Sequence, residues 1–128
     1  MSPGPHPGVR RARDRGQATV EFALVLPVLV LALLAVVQVA LVVRDYVSVV
    51  HAAREAARAA SVDPDAGAAV RAARRTLPDA HVQVSERGGV GDPVAVEVSY
   101  TSRTELPLVG VLFPDPTLRS RVEMRAER

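Results

Sequence analysis

Residues 16–43, GQATVEFALVLPVLVLALLAVVQVALVV, decide the fold of this chain. The run from Phe22 to Val43 holds 22 residues without a charged side chain, and only Pro27 and Gln38 interrupt its apolar character. A helix of this run would be about 33 Å long, which matches the hydrocarbon thickness of a bilayer. Sixteen of the 22 residues are Leu, Val or Phe, and each favours insertion by about 0.3 to 0.6 kcal/mol at a central position. The run therefore predicts a transmembrane anchor.

Two other interpretations of the run fit less well. The apolar core of a cleaved secretory signal peptide usually has about 7 to 15 residues and precedes a small-residue cleavage site. This run is longer and ends in ALVVRDYV, which offers no such site. A buried helix of a soluble protein would need more surrounding chain than the remaining residues supply.

The composition argues against several kinds of chemistry. The 128 residues include no cysteine, so the chain has neither a disulfide framework nor a thiol nucleophile. His6, His51 and His81 lack the spacing of a zinc site. We therefore expect no metal, no cofactor, no small-molecule substrate and no catalytic residue, with an enzyme as the most distant alternative.

The positive charge of the chain is concentrated at its N-terminus. Residues 1–16 carry four arginines against Asp14, a net charge of +3, whereas residues 17–128 carry a net charge of −1. A basic arm of this kind suits anionic lipid, and two Phe and two Tyr residues provide no aromatic platform for nucleic-acid bases. The positive-inside rule predicts a cytoplasmic N-terminus and an extracytoplasmic C-terminal part, in a single-pass protein of the cytoplasmic membrane.

The first residues of the arm predict no regular structure. Residues 1–9 are rich in Pro and Gly, and we interpret them as a disordered leader. A twin-arginine export signal is a weaker alternative, because RRARDRG lacks the apolar residue expected soon after the arginine pair.

A spaced glycine and glutamate stand at the junction of the arm and the apolar run. Gly16 is followed by four residues and then by Glu21 and Phe22, as in the class III signal sequences of type IV pilin-like proteins. Gly16 has no side chain, so its backbone can lie extended in a protease groove. Glu21 is favoured by the helix N-terminal dipole and, after cleavage, could pair with the α-ammonium of Gln17 on a neighbouring subunit. The simpler alternative is that Glu21 only snorkels to the membrane edge.

Beyond Val43 the periodicity predicts two helical segments. The sequence RDYVSVVHAAREAARAASV continues the anchor as an amphipathic stalk, and the two together predict one helix of about 40 residues. Its apolar stripe holds Tyr46, Val50, Ala53, Ala57 and Ala60. A second helix is expected to start with Asp63 as its cap and Pro64 at the first position, and to end at Pro78.

After Pro78 the apolar period changes from 3.6 to 2. HVQVSE and VAVEVSY predict a β-hairpin, and LRSRVEMRAE predicts a third strand. A sheet this small needs a helical packing partner, which the alanine face of the stalk can supply. The segment LPLVGVLFPDP, residues 106–116, is either a loop that covers the core or an exposed patch that touches the bilayer or a partner.

The fold class expected from these elements is α+β and pilin-like. It comprises a long N-terminal transmembrane helix that continues into an amphipathic stalk, a second helix and a small antiparallel sheet of about three strands.

The sequence resembles the TadE-like family of the tight-adherence (Flp-type) pilus assembly system. The matching pieces are RGQATVEFALVLPVL, HAAREAARAAS, the alternating strands and the closing VEMRAE. The resemblance implies cleavage after Gly16 by a prepilin peptidase, and it implies that Glu21 matches the pilin glutamate. It also implies other pilin-like subunits and inner-membrane assembly proteins as partners, besides the lipid bilayer.

These expectations define three regions and two candidate functions. Residues 1–16 would be a basic leader, residues 17–43 the transmembrane anchor and residues 44–128 an extracytoplasmic TadE-like domain. The leading hypothesis is a non-enzymatic pseudopilin or minor pilin that assists assembly of a tight-adherence pilus or a related secretion apparatus. The alternative is an uncleaved, signal-anchored extracytoplasmic binding module.

Overall fold

The computed structural model describes residues 8–104, 106 and 108–127, with the side chains of residues 8–15, 109 and 112 excepted. Within these residues the elements are α1 (Gly8–Val62), α2 (Ala66–Thr76), β1 (His81–Val84), β2 (Pro93–Thr101), α3 (Val109–Leu112) and β3 (Thr117–Arg125). The chain forms two units, the first up to Val37 and the second Gln38–Arg128, and each is described by itself. The predicted boundary between residues 43 and 44 stays a prediction.

The first unit consists of the N-terminal part of α1. The helix begins at Gly8, so the expectation of a disordered leader is wrong for Gly8 and Val9, whereas residues 1–7 lie outside the described part. Arginine and alanine are good helix formers, which lets the arm join the helix. For this reason α1 has 55 residues instead of about 40. Pro27 lies inside α1 without ending it, as membrane helices tolerate.

The second unit is built on the alanine-rich face of the rest of α1. Its buried residues are Val49, Ala52, Ala53, Ala56, Ala57 and Ala60. Their spacing of one, three and four residues keeps them on one side of the helix, and their small side chains allow close packing. This face is wider than the predicted stripe and begins later, because Tyr46 is 49% exposed.

The connection between α1 and α2 differs from the prediction. Asp65, not Asp63, is the N-cap of α2: its backbone is extended and its carboxylate accepts a hydrogen bond from the Gly67 N–H at 2.9 Å. Asp63 instead completes the preceding turn, since its N–H donates to Ala59 O and its carboxylate accepts from the Asp65 N–H. Both aspartates have the residue type of a cap, and only the end point of α1 decides between them.

The last carbonyl groups of α1 are bound by distant parts of the chain. The guanidinium group of Arg87 donates to Ala60 O at 3.1 Å and to Ser61 O at 3.3 Å. The Glu127 N–H also donates to Ser61 O, at 2.8 Å. These hydrogen bonds satisfy acceptors that a helix end cannot satisfy itself, and they tie the end of α1 to the sheet region.

The three strands form one antiparallel sheet in the order β1-β2-β3. Val82 pairs with Val98 and Val84 with Val96, so the apolar positions of the predicted hairpin lie on one face. On that face Val94, Val96 and Val98 are buried in one core with the alanines of α1 and with Ala69 and Ala73 of α2. The sheet therefore packs on the helices as the alternation predicts, and the α+β fold class is confirmed.

The conformation of the β1–β2 loop is fixed by Gly91 and Asp92. Gly91 has a φ of 91°, a conformation that glycine adopts readily and other residues rarely do. Its N–H donates to Ala126 O, and the Ala126 N–H donates to Asp92 O. The Asp92 carboxylate accepts from the Gly89 N–H at 2.6 Å. This loop is therefore joined to the segment that follows β3.

Candidate functional site

The residues predicted for processing and assembly lie together on the N-terminal part of α1. Gly16, Gln17, Glu21 and Phe22 are all exposed. The Gln17 side-chain amide donates a hydrogen bond to Glu21 Oε1 at 3.1 Å, which the i, i+4 spacing of a helix allows. The glutamate is thus bound to the side chain of the residue that would begin the mature chain after cleavage at Gly16.

Gly16 is surrounded by open space. A Cβ atom built on it would meet no heavy atom within 4 Å outside its own helical neighbours, so packing does not explain a glycine here. The residue is helical instead of extended, and a protease that needs an extended substrate must unwind α1 at this point. Glycine costs a helix interior about 1 kcal/mol relative to alanine, which makes that opening easier.

The apolar run after Phe22 is the part of the described chain that fits a bilayer. Among the described residues, one helix is long and apolar enough to cross a membrane, with a mean hydropathy of 2.9 over its best 18-residue window. Phe22, Pro27 and Val43 expose their side chains. Such exposure of large apolar residues would cost free energy in water, whereas lipid accommodates it.

Gln38 has a different environment in the second unit. It is 6% exposed, and its Oε1 atom has no hydrogen-bond partner within the described residues. Buried polar atoms are usually hydrogen-bonded. The polar residue that interrupts the apolar run in the sequence is therefore covered by protein.

The sheet brings together three polar residues that the sequence did not single out as a group. Asp79, His81 and Ser99 line an open cavity of about 190 Å³, and the pairing of β1 with β2 sets His81 opposite Ser99. A nucleophilic serine needs a hydrogen bond to its base. Among the described contacts the His81 ring is instead 3.5 Å from the Gln83 side-chain nitrogen. Only strand register could have revealed this grouping, because residues 81 and 99 are distant in the sequence.

The described residues contain no group of three or more His, Cys, Asp or Glu side chains that could hold a metal ion. The described residues form an α+β chain with one candidate membrane-spanning helix, and the exposed N-terminal part of that helix carries the Gly16 to Phe22 segment.

Comparison with protein families gives a match that covers residues of α1. The model of the TadE family, described as TadE-like protein, matches residues 16–58. Residues 16–58 are thus similar to the TadE-like family, which confirms the predicted resemblance over these residues, whereas the strands and the closing VEMRAE lie outside the match. The match includes Gly16, Glu21, the apolar run and most of the buried alanine face of α1. No curated protein and no solved structure matches the chain.

Proposed function

We propose that this protein is a non-enzymatic, membrane-anchored pseudopilin or minor pilin that assists assembly of a tight-adherence pilus or a related secretion apparatus. In this proposal a prepilin peptidase removes residues 1–16 on the cytoplasmic side, and the apolar run remains in the cytoplasmic membrane. The C-terminal α+β part then lies outside the cytoplasm. The mature chain contacts other pilin-like subunits and inner-membrane assembly proteins.

The observation that carries the proposal is the position of the Gly16 to Phe22 segment. It lies where the TadE-like match begins and directly before the apolar run. A Cβ atom on its glycine would contact none of the described side chains within 4 Å, and its glutamate is exposed at the start of a span in which ionisable groups are costly. Both properties are expected of a processed, assembling subunit. Neither is needed by a simple anchor.

The processing step is tested by substitution at Gly16. We expect Gly16→Val to leave the protein at full length, because a branched side chain at this position obstructs an extended peptide in a protease groove. The matched control is Ala18→Val, which places a branched side chain two residues later and should be processed normally. Mass spectrometry of the membrane-extracted proteins reads the N-terminus. A wild-type chain that retains residues 1–16 would reject processing.

The assembly step is tested at Glu21. We expect Glu21→Val to insert and to be cleaved after Gly16 but not to co-purify with pilin-like partners, because the carboxylate available to a neighbouring α-ammonium is gone. Val20→Leu, which keeps the glutamate and changes the size of an exposed apolar side chain next to it, is the control. Normal co-purification and normal piliation of cells that carry Glu21→Val would refute the assembly role.

An uncleaved, signal-anchored binding module is the other outcome of the same experiments. It would show an intact leader in the wild-type protein and unchanged function in Glu21→Val. An intact leader together with loss of partners in Glu21→Val would indicate an assembling subunit that is not processed.

A further inference from the structure

The segment between β2 and β3 exposes apolar side chains instead of covering the core. Leu108 is 67%, Val111 90% and Phe113 52% exposed, so these three side chains form an exposed apolar patch. Leu108 also has a φ of 68°, a left-handed conformation that is unfavourable for residues other than glycine. Residues 108–116 are called the apolar loop below. An apolar loop that stays exposed and strained is expected where another molecule contacts it.

Hydrogen bonds close the base of the apolar loop and attach it to α1. The Thr104 N–H donates to Asp115 Oδ1 at 2.8 Å, and the Ser102 N–H donates to Pro116 O at 3.0 Å. The buried Ser102 hydroxyl donates to Asp45 Oδ2 at 2.6 Å. Asp45 lies two residues after Val43, where the apolar run ends. The base of the loop is therefore fixed to α1 just beyond the run.

From this attachment the apolar loop lies back over the end of the apolar run. Phe113, Pro114 and Pro116 of the loop line one largely apolar cavity of about 240 Å³ with Val39, Val42 and Val43 of α1. The short helix α3 is close to the same place, because a Cβ atom built on Gly110 would lie 3.6 Å from Thr104 Cγ2. The loop is thus beside the last two turns of the run and not beyond them.

The apolar loop and α1 do not enclose a fully packed core where they meet. Gln38 Oε1 and Thr104 Oγ1 are buried there without a hydrogen-bond partner among the described residues. Val39 and Val43 remain more than half exposed beside the loop. A closed core would cover these valines, so their exposure leaves an apolar surface that another apolar medium can cover.

We propose that the apolar loop is a second membrane contact, with Leu108, Val111 and Phe113 in the interfacial region of the leaflet where the apolar run leaves the bilayer. The inference rests on the membrane anchoring proposed above. Lipid is the favoured partner of this surface, because the loop forms one apolar surface with Val39 and Val43 of the apolar run. Arg44 directly follows the apolar run and Arg103 directly precedes Thr104, and both are exposed; long basic side chains at the end of a span can extend to the lipid headgroups.

The chain contains no cysteine, so a single introduced cysteine is the only thiol that a label can modify. The full chain carrying Val111→Cys is labelled with an environment-sensitive fluorophore and reconstituted in vesicles of phosphatidylethanolamine and phosphatidylglycerol. Val30→Cys, within the apolar run, is the control for lipid. Val90→Cys, in the exposed β1–β2 loop, is the control for water. Quenching is measured with spin-labelled lipid acyl chains and, separately, with aqueous iodide.

We expect the label at residue 111 to be quenched by the spin-labelled lipid and protected from iodide, as at residue 30, and the label at residue 90 to show the reverse. A label at residue 111 that behaves as at residue 90, while residue 30 is in lipid, would overturn the second contact and leave the anchor intact. A label at residue 30 that is accessible to iodide would overturn the anchor and with it this inference. Protection of residue 111 from both quenchers, lost when the protein is diluted with lipid, would identify a second copy of the chain as the occupant and would also overturn the inference.

Discussion

Arg87 stabilises the end of α1 from the β1–β2 loop. Its guanidinium group binds two carbonyl oxygens, those of Ala60 and Ser61, and the side chain is half-buried. We expect Arg87→Ala to lower the free energy of unfolding by about 1.5 to 3 kcal/mol, the range for hydrogen bonds that involve a charged group. Arg74→Ala, at an exposed position of α2, should change it by less than about 0.5 kcal/mol. Denaturant unfolding of the two proteins in the same detergent distinguishes them. Equal stabilities would show that the Arg87 hydrogen bonds contribute nothing net.

Substitution of Gly91 tests whether the β1–β2 loop needs a residue with a positive φ at this position. A Cβ atom added there would meet nothing within 4 Å, so the only cost of Gly91→Ala is the positive φ, about 1 to 2 kcal/mol. Gly89→Ala is the control, because a Cβ atom on Gly89 would make an ordinary contact of 3.6 Å with Asp92. The measurement is the difference in unfolding free energy between the two variants. If the variants are equally stable, the loop does not require its left-handed residue.

At the scale of the element, α2 depends on the charge of its cap. The hydrogen bond from the Gly67 N–H, and then the hydrogen bond and charge of Arg71, lower the pKa of Asp65 below its ordinary value. A carboxylate whose pKa is lowered in the folded state stabilises the fold above the unfolded-state pKa, and this contribution is lost as the pH falls through the folded-state pKa. We therefore expect the first turn of α2 to lose stability progressively as the pH falls from about 4, the ordinary pKa of an aspartate, through the lower folded-state pKa of Asp65.

Amide exchange of Gly67 measures this loss of stability. Its protection should decrease as Asp65 is protonated, and Asp65→Ala should show the same low protection already at neutral pH. Asp79→Ala, which removes a carboxylate outside α2, should keep the pH dependence of the parent. Unchanged protection of Gly67 in Asp65→Ala would mean that the cap does not hold the first turn.

The elements show which parts of this fold the sequence could predict. The alternation in residues 94–100 predicted the buried face of β2 correctly, because a one-residue shift would have exposed every valine. The end of α1 at Val62 agrees with the predicted stalk segment. The N-cap of α2 could not be predicted to the residue, since Asp63 and Asp65 both have the residue type of a cap. The start of α1 was misplaced because glycine and proline in residues 1–9 suggested a break that Gly8 does not make.

The functional regions could be predicted from the sequence only where their residues are close together in the chain. Gly16 and Glu21 are close in the sequence, so their spacing and the nearby basic arm were visible at once. The base of the apolar loop joins residues 45 and 102, and no local pattern relates them. Long-range pairing of this kind requires the three-dimensional structure.

At the scale of the whole molecule, the second unit depends on small side chains between α1 and the sheet. Ala57 is fully buried in the core that contains Val94, Val96 and Val98. We expect Ala57→Leu to lower the free energy of unfolding by about 1 to 3 kcal/mol, because the added atoms force the helix and the sheet apart. Arg58→Leu, one residue further on the exposed side, should be nearly neutral to folding. Thermal unfolding followed by circular dichroism compares the two proteins. An Ala57→Leu variant as stable as its parent would show that this packing is loose.

The edges of the sheet restrict how copies of this protein can join. Among the described strands, β1 and β3 have no neighbour on their outer sides, and such edges can recruit a strand from another chain. β1 has only four residues, and the solvent face of β3 carries Arg119, Arg121, Glu123 and Arg125. Short and charged edges oppose strand-to-strand polymerisation. Copies of this protein are therefore expected to associate through helix surfaces, and shared sheet hydrogen bonds should contribute little to the strength of such contacts.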